Sequence, residues 1–258
     1  MSSAIQTRIG LLTDIHYDGG CPAMNRLYDA IALLKAGGVD ALVVMGDLVN
    51  AEGEAHAKRL LQEVAALCDA YTGPTYFMPG NHDLDHISKA EFYNALGHAG
   101  NAARFDFETG GYKIICIDGN FSPNGNAYEL GNFEWQKAFV PEEQLDWLRG
   151  RLAASLLPVV VISHQRIDKE SSYAVRNHAD VRDVLFLSDK VKAVLQGHNH
   201  EDDLIQAKGV SFYTLSAHAD DAGPAVMQLD SKGVRLIRDY EPSFSSGVTE
   251  EANENNPA

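Results

Sequence analysis

Between residues 8 and 83, three apolar runs alternate with two stretches of helical spacing, and this alternation restricts the possible folds more than any other feature. The run ending in Leu11-Leu12-Thr13 delivers Asp14-Ile15-His16. Ala41-Leu42-Val43-Val44-Met45 delivers Gly46-Asp47, and Thr75-Tyr76-Phe77-Met78 delivers Pro79-Gly80-Asn81-His82-Asp83. Between them, Leu27, Ala30, Ile31 and Leu34, then Leu60, Leu61, Val64 and Leu67, recur on single helical faces that end at Gly37-Gly38 and Gly73-Pro74. Strand-helix repeats of this kind pair in parallel through right-handed crossovers, so the three strands end at one sheet edge. Ligand sites of α/β sheets collect at that edge, and each strand deposits polar side chains there.

The pattern then changes. After a short helical stretch near Ser88 to Leu96, Arg104 to Glu108 and Tyr112 to Ile117 flank Gly110-Gly111 as a hairpin. Residues 118–140 have no clear period and are rich in Asn, Gly and aromatic residues, the character of a lid, a binding loop or a surface excursion. Asn120, Tyr128, Phe133 and Trp135 are candidates to stack on or hydrogen-bond a substrate, and the competing reading is that they pin the loop down. A helix beginning at Pro141 carries Leu145, Leu148 and Leu152 on one face. Val159 to Ile162 forms a β-branched strand that ends in Ser163-His164. Following a helix around Ala179 to Leu187, Val191 to Leu195 leads to Gly197-His198-Asn199-His200. Short strands near 204–206, 210–215, 225–229 and 234–237 close a domain expected to span 1–240, with 118–140 as a substrate-loop insertion. Residues 241–258 are expected to be a mobile acidic tail.

The 36 acidic residues against 21 basic ones give a formal charge of −15, which argues against a broad basic face for long nucleic acids. A small phosphorylated substrate stays compatible, because bound cations invert the field within one pocket. No run approaches the roughly 18 apolar residues of a membrane helix. Met1 to Thr7 lacks the basic and apolar regions of a secretory signal, so the expected location is cytoplasmic, without a membrane partner. Cys21, Cys68 and Cys116 fit neither a disulfide framework nor a CxxC zinc site and read as reduced thiols. Homo-oligomerisation is left open.

Five strand ends thus present Asp14 and His16, Asp47, Asn81 and His82, His164, and His198 and His200. Singly, each is an ordinary polar turn. Jointly they supply the carboxylate, amide and imidazole donors that suit Mn, Fe or Zn. A closed structural zinc site, typically four ligands rich in Cys, does not match this set.

Asp14-x-His16, Gly46-Asp47-x-x-Asn50, Gly80-Asn81-His82-Asp83, His164 and Gly197-His198-x-His200 together resemble the calcineurin-like metallophosphoesterases, in that family's order and over most of the chain. The resemblance implies an α/β fold, a β-sandwich of two mixed sheets flanked by helices in αββα layers. It also implies two metal ions, divalent or trivalent, most naturally Mn and/or Fe with Zn as an option. Asp14, His16 and His200 would bind one, Asn81, His164 and His198 the other, and Asp47 would bridge them. A bridging carboxylate and hydroxide offset the repulsion of cations roughly 3.5–4 Å apart, and the hydroxide would attack phosphorus in line. His82 would stabilise the transition state or protonate the leaving oxygen, with Asp83 orienting His82 or another ligand. Asp14-Ile15-His16-Tyr17, Ile117-Asp118-Gly119-Asn120 and Gln144-Leu145-x-Trp147-Leu148 are similar to the branch of manganese-dependent ADP-ribose/CDP-alcohol pyrophosphatases and bacterial phosphodiesterases, whose better-known members carry Gln where this chain has His16. The expected substrate is a small phosphodiester, diphosphate or phosphomonoester, with nucleotide-derived molecules among the options. The alternative is a non-catalytic metal-binding scaffold of the same fold.

Overall fold

A computed structural model describes residues 6–238. The first of its two sheets has the order β11 (Gly233–Ile237), β10 (Ala225–Asp230), β1 (Thr7–Leu12), β2 (Ala41–Met45) and β3 (Thr75–Met78). β1, β2 and β3 are parallel, while β10 runs antiparallel to β1. The second sheet has the order β4 (Phe105–Thr109), β5 (Tyr112–Cys116), β6 (Val159–Ile162), β7 (Val191–Gln196), β9 (Val210–Thr214) and β8 (Asp203–Ala207). Its four inner strands are parallel, and β4 and β8 form antiparallel edges. Both sheets are therefore mixed.

The strand sequences are apolar at successive positions because both faces of each sheet are covered. In β2, Ala41, Val43 and Met45 face the space between the sheets and meet Ile114, Val160, Ile162, Ala193 and Leu195. Leu42 and Val44 point the other way, toward α1 (Cys21–Ala36), α2 (Glu54–Cys68) and α3 (Lys89–Ala95), packing with Leu27, Ile31, Leu60, Val64 and Phe92. The second sheet repeats the scheme: Val159 and Val161 pack beneath α4 (Glu142–Ala154) and α5 (His178–Phe186) with Leu145, Leu148, Val181 and Leu185. The result is the expected sandwich of two mixed sheets flanked by helices.

The polar clusters sit at the C-terminal ends of β1, β2, β3, β6 and β7. Backbone hydrogen bonds continue past the strands there. The N–H groups of Asp14, His16 and Tyr17 donate to the carbonyls of Gly46 (3.0 Å), Asp47 (3.0 Å) and Leu48 (2.9 Å), and Gly197 N–H donates to His164 O (2.9 Å). Residues 118–140 contain one named element, a 3₁₀ turn at Trp135–Lys137. The expected acidic tail, 241–258, lies outside the described residues. Among the described residues, no helix is long and apolar enough to cross a membrane.

Candidate metal centre and its pocket

Asp14, His16, Asp47, His198 and His200 all have left-handed backbone, with φ of 52°, 45°, 52°, 71° and 62°. Asp and His tolerate this region better than most residues, yet each such residue is strained, and strain of this kind persists where surrounding structure enforces it, often at functional sites. Asp14 and His16 reach a common point through these tight turns. The glycines before the clusters have a steric cause. Gly46 has φ of 102°, and a Cβ on it would lie 2.5 Å from His164 Nδ1; a Cβ on Gly80 would collide with the Asp47 carboxylate and backbone.

Ligand-capable atoms converge in three overlapping groups: Asp14, Asp47, His164 and His198; Asp14, His16 and His200; and His16, Asp47 and His82. Within each group the atoms lie within 4.8 Å of one another. Asp14 uses one oxygen for structure and leaves the other for the centre. Its Oδ2 accepts from Thr13 Oγ1 (2.6 Å) and from His198 N–H (3.0 Å), while Oδ1 is buried without a hydrogen-bond partner. Asp47 is divided in the same way, with Oδ1 accepting from His82 N–H (2.9 Å) and Oδ2 lying 3.2 Å from His164 Nε2 and 3.9 Å from His16 Nε2. Among the described residues, Asn81 Oδ1 and His198 Nε2 are likewise buried without hydrogen-bond partners, and His164 Nε2 is buried with Asp47 Oδ2 beside it. A buried polar atom left unpaired costs on the order of 1–3 kcal/mol, so three such atoms together with the His164–Asp47 pair form a donor set that a cation would satisfy.

Hydrogen bonds on the far ring nitrogens prepare two imidazoles for that role. His164 Nδ1 contacts Met45 O at 3.0 Å, and His200 Nδ1 contacts Asp220 Oδ2 at 2.9 Å. In a metal-bound state each Nδ1 would donate to its oxygen acceptor and leave Nε2 as the ligand atom. His16 Nε2 and His200 Nε2 face each other at 3.2 Å. Burial, with the neighbouring His164, lowers His198 to about 3, so its imidazole is neutral, the form that binds metal. Burial also lowers His16, outweighing the pull of Asp47 and Asp14. Burial opposes charge on Asp47, but the His164 and His16 imidazoles overcome it and hold its carboxyl well below the ordinary carboxylate range.

His82 stands at the mouth, its side chain 43% exposed, with Nδ1 on Asp85 Oδ2 at 3.0 Å. That hydrogen bond is the main cause of a pKa raised to about 9. Asp83, expected to orient His82 or another ligand, does not contact the His82 ring through a hydrogen bond. Its buried carboxylate accepts N–H bonds from Leu48 (2.8 Å), Val49 (3.1 Å) and Gly80 (2.8 Å), stapling the loop after Asp47 to the Gly80 turn. The carboxylate that holds His82 is that of Asp85.

Over the centre opens a cleft of about 260 Å³ lined by Asp47, Asn81, His82, Trp135, Tyr173, His198, Asn199 and His200. Of the four loop candidates for substrate contact, Trp135 alone lines it. Asn120 is buried and committed elsewhere, donating to Pro79 O (2.8 Å) and accepting from Gln165 Nε2 (2.6 Å). Tyr128 is fully buried, its ring stacked on Phe133 at 4.1 Å and its hydroxyl donating to Glu134 O (3.1 Å). These three residues hold the loop together, the reading that competed with substrate contact. Sequence reasoning missed Tyr173, Asn199 and Asp85. Signals existed: Asn199 is the middle residue of His198-x-His200, Asp85 follows His82 by three positions, and Tyr173 lies in the polar loop after His164.

Among proteins of known name, the chain is 25% identical to a manganese-dependent ADP-ribose/CDP-alcohol diphosphatase from Arabidopsis thaliana, covering 70% of this chain and 71% of the relative. It is 24% identical to a probable cyclic nucleotide phosphodiesterase from Synechococcus, covering 81% and 79%. A dimetal phosphatase from Danio rerio superposes with a TM-score of 0.76 at 18% identity, covering 92% of this chain and 99% of that one, a likeness of fold. The family model for calcineurin-like phosphoesterases matches residues 7–202, a span that holds all five polar clusters, and the chain belongs to that family.

Proposed function

We propose that the chain hydrolyses a small phosphodiester, diphosphate or phosphomonoester with the aid of two metal ions. The observation that carries this reading is the convergence of buried ligand atoms on Asp14, Asp47, Asn81, His164 and His198 beneath an open cleft, those on Asp14, Asn81 and His198 without a hydrogen-bond partner among the described residues. Asp14, His16 and His200 would hold one ion, Asn81, His164 and His198 the other, and Asp47 would reach both. Two cations bound there would acidify a water for in-line attack and neutralise charge on the phosphoryl oxygens. Manganese is supported by the name of the Arabidopsis relative, with iron and zinc compatible with the same donors. The names of both relatives support a nucleotide-derived substrate.

The chain's own residues supply the remainder. His82, its pKa raised to about 9 chiefly by the hydrogen bond to Asp85, lines the cleft and would give its proton to the departing oxygen. Asp83 keeps the Asp47 loop and the Asn81 turn in register, so that two donors from different strands stay aimed at one point. The test is metal analysis of the purified protein, joined to hydrolysis of p-nitrophenyl phosphate and bis(p-nitrophenyl) phosphate with and without manganese. Two metals per chain and manganese-dependent turnover are expected. Fewer than two at saturation, with neither ester turned over, would overturn the proposal and leave a metal-binding scaffold.

A further inference from the structure

The cleft has a feature that phosphoryl transfer alone does not require: one wall is aromatic. Trp135 and Tyr173 stand nearly perpendicular to the His198 ring, at interplanar angles of 81° and 77° and centroid distances of 5.4 and 5.5 Å. The two rings lean on each other at 5.5 Å, too close to admit a third ring between them, so a ligand ring can stack only on the wall's outer surface. Tyr173 keeps 39% of its surface exposed, and Trp135 is half-buried. A pair serving only to shield His198 would not need that open surface.

The wall is built in advance. Trp135 follows Glu134, whose carbonyl receives the Tyr128 hydroxyl, and the Tyr128 ring is stacked on Phe133. At its start the loop is anchored by the Lys89–Asp118 ion pair and by Asn120 on Pro79. Tyr173 is fixed from the second sheet's side, where its carbonyl accepts Arg166 N–H at 3.1 Å. Beside the rings, Asn199 also lines the cleft.

Charge narrows the substrate further. Among the described residues that line the cleft, none is Lys or Arg. A phosphomonoester dianion bears additional charge on its terminal oxygens, which recognition sites commonly meet with a guanidinium fork or an ammonium. A phosphodiester unit bears a single negative charge and has a second substituent to place. His82 lies beside His16, at 5.2 Å between ring centroids, while the aromatic wall lies against His198. The two features thus border different histidines of the centre.

Resting on the hydrolase reading above, we propose that the substrate is a phosphodiester or a diphosphate diester, and that the group retained on the attacked phosphorus is a nucleoside or another aromatic group stacked on Trp135 and Tyr173. The wall selects the retained group and His82 serves the leaving group.

The test keeps one leaving group and varies the other substituent. With manganese-loaded enzyme, kcat/KM is measured for thymidine 5′-(p-nitrophenyl phosphate), methyl p-nitrophenyl phosphate and p-nitrophenyl phosphate. The nucleoside diester should exceed the methyl diester about tenfold or more, the scale of one stacked base, mainly through KM. The methyl diester should in turn exceed the monoester. In the Trp135→Ala/Tyr173→Ala double variant the nucleoside-to-methyl ratio should fall toward one, and Trp135→Phe should retain most of it, with metal content confirming an intact centre. Equal rates on the two diesters, a ratio unchanged in the double variant, or a preference for the monoester would overturn the proposal while leaving the hydrolase reading standing. Failure of the wild type on all three esters would remove both.

Discussion

The floor of the cleft and its rim are built in opposite ways. On the floor, Asp14, Asp47, Asn81, His164 and His198 follow short apolar strands, are buried, and turn ligand atoms toward one space, those of Asp14, Asn81 and His198 without a hydrogen-bond partner among the described residues. On the rim, the loop 118–140 is irregular, and its candidate contact groups are spent on the protein's own structure: Asn120 on Pro79 and Gln165 outside the loop, Tyr128 on Phe133 and Glu134 within it. A donor at a strand end inherits its direction from the sheet. A loop side chain has no such frame, and its partners decide whether it faces the ligand or the loop.

The sharpest way to break this contrast is on the floor. Asp47→Asn should remove metal, lowering content below two ions per chain and turnover by more than about 100-fold, since even supporting partners of metal ligands are worth 10- to 100-fold. Metal analysis and steady-state kinetics check it, and an Asp47→Asn enzyme with full metal and full rate would contradict the floor as drawn. His82→Ala comes next: metal content should be unchanged, while kcat falls by about 10²–10⁴-fold on esters with poorly departing alcohols and by less on p-nitrophenyl esters, whose leaving group needs little protonation.

The Asp85–His82 contact is a milder lever. Because the Asp85 hydrogen bond is the main cause of the raised His82 value of about 9, the imidazolium form dominates below that pH and is lost as pH rises through it. A rate that needs the imidazolium falls on the alkaline side. Asp85→Asn should move that limb to lower pH, toward the ordinary histidine value of about 6.5, with metal content retained. A pH–rate profile with an unmoved limb would exclude Asp85 as the positioning group. The smallest effect belongs to the rim's interior. Tyr128→Phe removes one hydrogen bond, worth about 1 kcal/mol, and should lower the melting temperature by about 2–4 °C while leaving KM for a phosphodiester unaltered. A raised KM with unchanged melting would instead make Tyr128 a substrate contact.

Much of the architecture was legible before folding was considered. The strand cores Val159–Ile162 and Ala41–Met45 coincide with expectation because an uninterrupted β-branched or apolar run bounded by turn residues has few other uses. The parallel order of β1, β2 and β3 followed from helix-length connections. The return of β10 and β11 to the open side of β1, and the insertion of β9 between β7 and β8, did not, because pairing between distant strands leaves no local signature. Within the centre, the polar cluster at each strand end could be read directly. Asp85 was passed over for Asp83 because adjacency in sequence favours the neighbour, whereas the 3₁₀ turn His82–Leu84 brings the residue three positions on beside the ring.

By itself the sequence determined which donors exist and that they arrive at one edge, since apolar run, turn glycine and polar cluster recur in a fixed order that sheet geometry can satisfy in one direction only. The tertiary structure alone decided how each donor is aimed. Left-handed turns at Asp14, His16, Asp47, His198 and His200 are imposed by contacts between strands far apart in the chain, as when His198 N–H binds Asp14 and Gly46 makes room for His164. It also decided that Trp135 and Tyr173, distant in sequence, share one wall while Tyr128 turns inward. Direction is a property of packing, because a side chain takes the orientation that leaves the fewest buried groups unpaired, and its partners come from the whole fold.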